Sequence, residues 1–206
     1  MKKYYAFALA LSVSLIITSA AIVRGGGKVA REGGASGATI GSVVADFKLS
    51  DVNGKAHSLS SLKGKNGTVL IFVSTRCPVS NGYNERMEKL AQDYKAQGVN
   101  VIGINANVKE TADDIKAHAT ENKLTFMILK DKGNKVADQL DAGVTPEAYF
   151  LDGANKLVYH GRIDNHKKPE LVTAHDLRDA IDATLAGKPV LKAEAAAFGC
   201  SIKRAS

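Results

Sequence analysis

Residues Thr68-Val69-Leu70-Ile71-Phe72-Val73 form a continuous apolar, largely β-branched run. A run this short and this apolar is the pattern of a strand buried on both faces. Such a strand needs helices to cover its sheet, and the sequence supplies them in alternation. From Asn84 to Gln97, Met87, Leu90, Ala91 and Tyr94 recur at helical spacing, with Gly98 as a stop. Val99 to Ile104 reads as a second buried strand, Ala112 to Asn122 as a helix, Leu124 to Leu129 as a strand and Lys135 to Leu140 as a short helix. After Thr145-Pro146, the runs Ala148–Leu151 and Leu157–Tyr159 flank the turn signal Asp152-Gly153-Ala154-Asn155 and read as a hairpin. Ala174 to Leu185 is a last helix, closed by Gly187 and Pro189. Upstream, Val44 to Leu49 alternates like a strand and Asp51 to Gly54 is a turn. There is no internal repeat. Strands alternating with helices imply an α/β fold, a central sheet with helices on its faces.

The N-terminus has a different character. Lys2-Lys3 precedes Tyr4 to Val23, 20 residues without a charge, ending in small residues. A basic start followed by an apolar run fits an export signal, and the same length would span a bilayer as an anchor. Both alternatives, cleaved signal or retained anchor over residues 1–24, place the rest of the chain across a membrane, periplasmic or extracellular. Residues 25–41 are rich in glycine and read as a flexible linker. A folded domain is expected over 42–190, followed by a polar tail, 191–206. Outside the cytoplasm, cysteines can cycle through disulfides.

Composition narrows the function classes. The net charge of +7 falls to +4 without Lys2, Lys3 and Arg24, and the remaining bases are interleaved with acids. No basic patch with aromatic residues is present, which argues against a nucleic-acid partner. Two cysteines in 206 residues cannot form a disulfide framework, so each needs its own explanation.

Cys77 falls where the first central strand hands over to a helix. Unpaired N–H groups and a partial positive charge at a helix N-terminus stabilise a thiolate. Pro78 suits the first helical turn, and Arg76 and Arg86 are candidate sources of further positive charge. Read from the residues alone, Cys77 is either a reactive thiol or an inert buried one. Ser80 stands three residues on, where a dithiol site carries its second sulfur. A hydroxyl there can hydrogen-bond a thiolate but cannot form a disulfide. The partner of an oxidised Cys77 must then be a substrate thiol, a small thiol or Cys200. His160 and His166 flank Asp164 without zinc spacing and are assigned to a surface loop; no metal is expected. The early glycines do not follow a strand and form no phosphate loop.

From about Val44 to Arg204 the sequence resembles the redoxin group of the thioredoxin superfamily, which includes alkyl hydroperoxide reductase and thiol-specific antioxidant proteins, and within it a peroxiredoxin-like subgroup. The resemblance is carried by Cys77-Pro78 after an apolar strand with Arg86 nine residues on, by VNVIGINAN from Val99 to Asn107, and by Val144-Thr145-Pro146 before YFLD. It continues in LVYHGRID from Leu157 to Asp164, in Asp176 to Pro189 and in the terminal Gly199-Cys200-Ser201-Ile202-Lys203. It implies a thioredoxin-like fold, a central mixed sheet flanked by helices with an N-terminal β extension. It also implies a redox-active Cys77, with Pro146 forming a cis peptide that sets the Thr145 backbone against the sulfur, where it can pair with a substrate strand. Cys200 becomes a candidate resolving thiol. No cofactor is implied, and the partners are protein or small-molecule thiols and disulfides, or peroxides.

The sequence departs from true peroxiredoxins in two places. Their Pro-x-x-x-Thr/Ser-x-x-Cys pattern keeps its hydroxyl here as Ser74 but has Leu70 in place of the proline, and Pro146 stands where an arginine polarises the peroxide. The expectation is therefore an exported thiol–disulfide oxidoreductase with a single-cysteine CPVS site. A thiol peroxidase is the first alternative and a redox-inactive binding module the second.

Overall fold

The computed structural model describes residues 37–205. The expected signal or anchor, and the linker as far as residue 36, lie outside the described residues. In chain order the strands and helices are β1 (Lys48–Asp51), β2 (Ala56–Ser58), α1 (Leu59–Leu62), β3 (Gly67–Phe72), α2 (Pro78–Asn81), α3 (Asn84–Lys95), β4 (Val99–Asn105), α4 (Ala112–Glu121), β5 (Met127–Lys130), α5 (Lys135–Leu140), β6 (Val144–Thr145), β7 (Glu147–Asp152), β8 (Leu157–Gly161), α6 (Asp176–Leu185), β9 (Glu194–Ala195) and β10 (Cys200–Ser201).

Eight strands form one mixed sheet in the order β2-β1-β5-β4-β3-β7-β8-β9, and β10 pairs with β6 in a separate ribbon. The run that opens the sequence argument is β3, at the centre and buried at every position. It lies parallel to β4, Gly67 opposite Val99 through Phe72 opposite Ile104. On its other side β7 is antiparallel, with Gly67 opposite Asp152. Successive side chains of a strand point to opposite faces, and β3 feeds two cores accordingly. Val69 and Ile71 join Met87, Leu90 and Tyr94 of α3 and Leu177 and Ile181 of α6. Leu70 and Phe72 join Leu59 of α1 and Val136 and Leu140 of α5. Local signals set the helix ends. Ser58 with Ser61, and Thr111 with Asp114, form reciprocal capping boxes. The result is the α/β class read from the sequence, with the β1–β2 hairpin as its N-terminal extension. Among the described residues no helix is long and apolar enough to cross a membrane.

The departures have a common cause. Phe47 and Leu49 are buried as their alternation implies, and Val44 with them, but the strand begins only at Lys48. Before it, Val44 N–H bonds the Asn155 carbonyl, and Phe47 gives its carbonyl to the Leu59 N–H that opens α1. Apolar alternation reports burial, and here burial is achieved without a ladder. The strand expected from Leu124 starts at Met127, because Leu124 N–H is still bonded to Ala119 at the end of α4. Residues 191–206, expected to be a polar tail, contribute β9 alongside β8 and β10 alongside β6. Ile202 is buried in the second core. Strands of two residues leave no periodicity to read.

Position rather than residue type sets the cost of a truncation. Ile71→Ala, at a fully buried site, should lower stability by about 2–5 kcal/mol in urea denaturation. Val43→Ala, 68% exposed, should change it by no more than about 0.5 kcal/mol.

Candidate active site at Cys77

Past β3 the chain turns through Ser74, Thr75 and Arg76, and this turn is built on a buried carboxylate. Glu110 Oε1 accepts from Ser74 Oγ at 2.6 Å, and Oε2 accepts from Thr75 N–H at 2.8 Å and from the Asn105 side-chain amide. Ser74 Oγ in turn accepts from the N–H groups of Arg76 and Cys77, each at 3.1 Å. A buried charge needs such partners, and satisfying Glu110 fixes the path by which the chain enters α2. Lys130 closes the far side of the network, donating to Asn105 Oδ1 and to the Asn107 carbonyl. Burial holds its ammonium below the usual lysine value, with Glu110 and Asp131 opposing.

Cys77 is the N-cap of α2, and Pro78 occupies the first helical position. The sulfur, 3% exposed as a residue, accepts from Ser80 N–H at 3.4 Å and donates to the Thr145 carbonyl at 3.2 Å. It is the backbone of Ser80 that serves the sulfur. The Ser80 hydroxyl, expected to face it, instead accepts from Ser74 N–H at 3.1 Å. Burial resists ionisation of Cys77, but hydrogen bonds from the Cys200 thiol, the Ser80 amide, the Thr145 side chain and the Cys200 amide outweigh it. The net shift is downward from an ordinary thiol.

Thr145 and Pro146 are joined by a cis peptide. Their loop is held by Glu147, whose Oε2 accepts from the amides of Gly143 at 2.7 Å and Val144 at 3.1 Å, and whose Oε1 meets His160 Nε2 at 2.7 Å. Burial alone would raise the Glu147 pKa; His160 and the two amides bring it below the usual carboxylate range. Cys200 stands opposite Thr145 in the β6–β10 register. Both cysteines are free thiols. The hydrogen bond to Cys77 raises the Cys200 pKa most, followed by burial and the charge of Cys77, against the Val79 amide and Lys203. A cleft of about 330 Å³ opens beside the two sulfurs, lined also by Ser74, Glu110, Lys109 and Lys203.

Of the residues singled out from sequence, Cys77, Pro78, Ser80, Thr145, Pro146 and Cys200 converge here. Arg76 lines the cleft but turns to Asp114 at 3.4 Å. Arg86 does not join them. Its guanidinium lies 3.5 Å over the Tyr83 ring and bonds Asp164 at 2.7 Å and the carbonyls of His166, Lys167 and Gly82. It fastens α3 to the loop at 164–167, so the geometry gives it no role in polarising a peroxide at the sulfur. His160 stacks on Tyr149, whereas His166 belongs with Asp164. Sequence reasoning missed Glu110, Asn105 and Glu147. Glu110 reaches its partners across 36 and 35 positions, a separation that no local pattern encodes; Glu147 carried one signal, a carboxylate directly after Pro146.

A depressed thiol, a second thiol within reach and a carbonyl edge for a polypeptide can together support disulfide exchange. The family model of the AhpC/TSA family matches residues 40–160. Thiol-disulfide oxidoreductase ResA of Halalkalibacterium halodurans is 33% identical over 121 residues, 59% of this chain and 67% of that one. Chloroplastic peroxiredoxin Q of Sedum lineare is 32% identical over 138 residues, 63% of this chain and 73% of that one. The crystal structure of a hypothetical protein from Sinorhizobium meliloti superposes with a TM-score of 0.75 at 35% identity, covering 82% of this chain and 96% of that one. A cysteine set on a strand-to-helix turn, in a sheet and sequence of this kind, identifies the chain as a member of the AhpC/TSA family, a thiol-dependent oxidoreductase of thioredoxin-like fold.

Proposed function

We propose that the protein is an exported thiol–disulfide oxidoreductase in which Cys77 is the attacking thiol and Cys200 the resolving one. The single observation that carries this reading is the placement of both thiols on one carbonyl edge: Cys77 donates to the Thr145 carbonyl, Cys200 stands opposite Thr145, and both line one cleft. In keeping with it, the Cys77 pKa is lowered and that of Cys200 raised by their mutual proximity. The Cys77 thiolate attacks a substrate disulfide, forming a mixed disulfide and releasing one substrate thiolate. Cys77 then no longer carries a negative charge, and the largest influence raising Cys200 disappears. The Val79 amide and Lys203 remain, and both favour the Cys200 thiolate. Cys200 attacks Cys77 Sγ, expels the second substrate thiolate and leaves a Cys77–Cys200 disulfide. Two electrons pass from the protein thiols to the substrate, the two thiol protons go to its products, and an external dithiol, or two monothiols, restores the pair and is itself oxidised to a disulfide. The same chemistry run backward oxidises a dithiol.

CPVS then supplies one sulfur and the C-terminus the other. The partners are protein or small-molecule disulfides and thiols. Tyr4 to Val23 supports export by its composition, with 1–24 as signal or anchor, 25–41 as linker and the redoxin domain following. Similarity to peroxiredoxin Q favours a second reading, a thiol peroxidase. Against it, among the described residues no guanidinium hydrogen-bonds Cys77, and Arg86 is engaged by Asp164. Stopped-flow oxidation of the Cys77 thiolate by hydrogen peroxide, measured above its pKa, should run no faster than that of a free thiolate; a faster rate would establish the peroxidase.

The pH dependence tests the thiol pair. Only the thiolate reacts, so the alkylation rate of Cys77 by iodoacetamide should rise with pH and reach half-maximum at a lower pH than a free cysteine. Cys200→Ala removes the leading hydrogen bond that favours the thiolate and should move that midpoint upward, while Cys200→Ser, which keeps a donor, should restore part of the shift. Oxidation of the wild type should yield an intramolecular disulfide seen as the loss of two hydrogens by mass spectrometry. Cys200→Ser should instead accumulate the Cys77 mixed disulfide, and Cys77→Ser should reduce exchange to background.

A further inference from the structure

The edge on which a substrate strand would dock is already filled. β6 carries the Thr145 carbonyl that accepts from Cys77, and its backbone is paired, antiparallel, with Cys200–Ser201 of the same chain. Ile202 N–H continues the pairing to the Gly143 carbonyl at 2.9 Å. The strand approaches closely because residue 199 is glycine. A Cβ there would stand 1.9 Å from the Thr145 oxygen and 2.7 Å from its carbonyl carbon, distances no side chain tolerates. Contact is firmer on either side of the crossing. Phe198 meets the Tyr83 ring edge-on at 6.2 Å, and Ile202 is buried in the second core. Lys203 N–H bonds Asn107 Oδ1 at 2.8 Å. Over the sulfur itself, Gly199 and Ser201 are exposed and the ladder is two residues long.

Building on the thiol–disulfide reading, we propose that Gly199–Ser201 is a resident occupant of the polypeptide-docking edge beside Cys77, so that an extended polypeptide disulfide engages only after this strand peels away, whereas a small disulfide reaches the sulfur through the adjoining cleft. Adding a strand to an open edge is a general mode of peptide recognition, and the resident strand shows the chemistry that fits, a cysteine preceded by a residue without a side chain. Peeling is a local opening, and a competing polypeptide binds in proportion to the opened fraction. The cleft needs no such opening, because its lining by Cys77 and Cys200 is reached alongside the strand, between Lys109 and Lys203.

The test uses the full chain in a Cys200→Ser background, so that resolution is silent throughout. Two probes are compared in single-turnover reactions with Cys77. One is 5,5′-dithiobis(2-nitrobenzoate). The other is the peptide Ala-Phe-Gly-Cys-Ser-Ile-Lys with its cysteine blocked as a nitrothiobenzoate mixed disulfide. Adding Gly199→Ala, which forces the strand off the Thr145 carbonyl, should raise the peptide rate relative to the small-disulfide rate by roughly tenfold, the ratio cancelling any change in Cys77 ionisation common to both probes. Ile202→Ala, which loosens the anchor without any clash, should produce the same split. Equal changes with both probes, or no change with the peptide while the small disulfide reacts quickly, would overturn the inference and leave the exchange reading intact. Reaction with both probes at free-thiol rates in every variant would remove the exchange reading and this inference with it.

Discussion

The active-site turn depends on one buried carboxylate. Glu110, 4% exposed, sits among three neutral donors from two places in the chain, the Ser74 hydroxyl with the neighbouring Thr75 amide, and Asn105. An ionised carboxylate taken out of water without partners is prohibitive, so these donors have little freedom to turn elsewhere. Ser74 is thereby aimed to receive the amides of Arg76 and Cys77, and Ser80 to receive that of Ser74. The backbone is fixed before the sulfur is considered. Cys77 then takes what remains, one amide of α2 and one carbonyl of β6.

Two elements of different strength hold the opposite side of the site. Glu147 clamps the Gly143–Thr145 loop through two amides and His160, and it belongs to β7, which is hydrogen-bonded along its whole length to β3. The C-terminal crossing has a ladder of only two residue pairs over the site, and its anchors lie beyond that ladder, in Phe198, in Ile202 and in Lys203 on Asn107. Cys77 thus sits between a rigid loop on one side and a short ladder on the other.

The sheet and its helices were legible from sequence because each has enough residues to show a period. Lys135–Leu140 is the helix expected, and β4 and α4 match within a residue. The place of Cys77 at the head of a helix was legible because Cys77-Pro78 lies at the end of an apolar run. What was not legible is what distant pairing decides. Nothing near Glu110 announces that it will meet Ser74, and nothing in AAAFGCSIK announces two strand residues. Whether Arg86 reaches the sulfur was left open by the sequence for the same reason, and α2 and α3 carry it to Asp164.

The pairing of Cys200 with Thr145 also constrains register. Side chains along a strand alternate between its two faces, so a shift of one residue reverses all of them. A slip of a single residue along β6 would leave both cysteines in the sequence and a ladder in place, but would turn the second sulfur to the opposite face. The two thiols are coupled by counting, and a chain that kept the cysteine while changing its parity would be a different protein chemically.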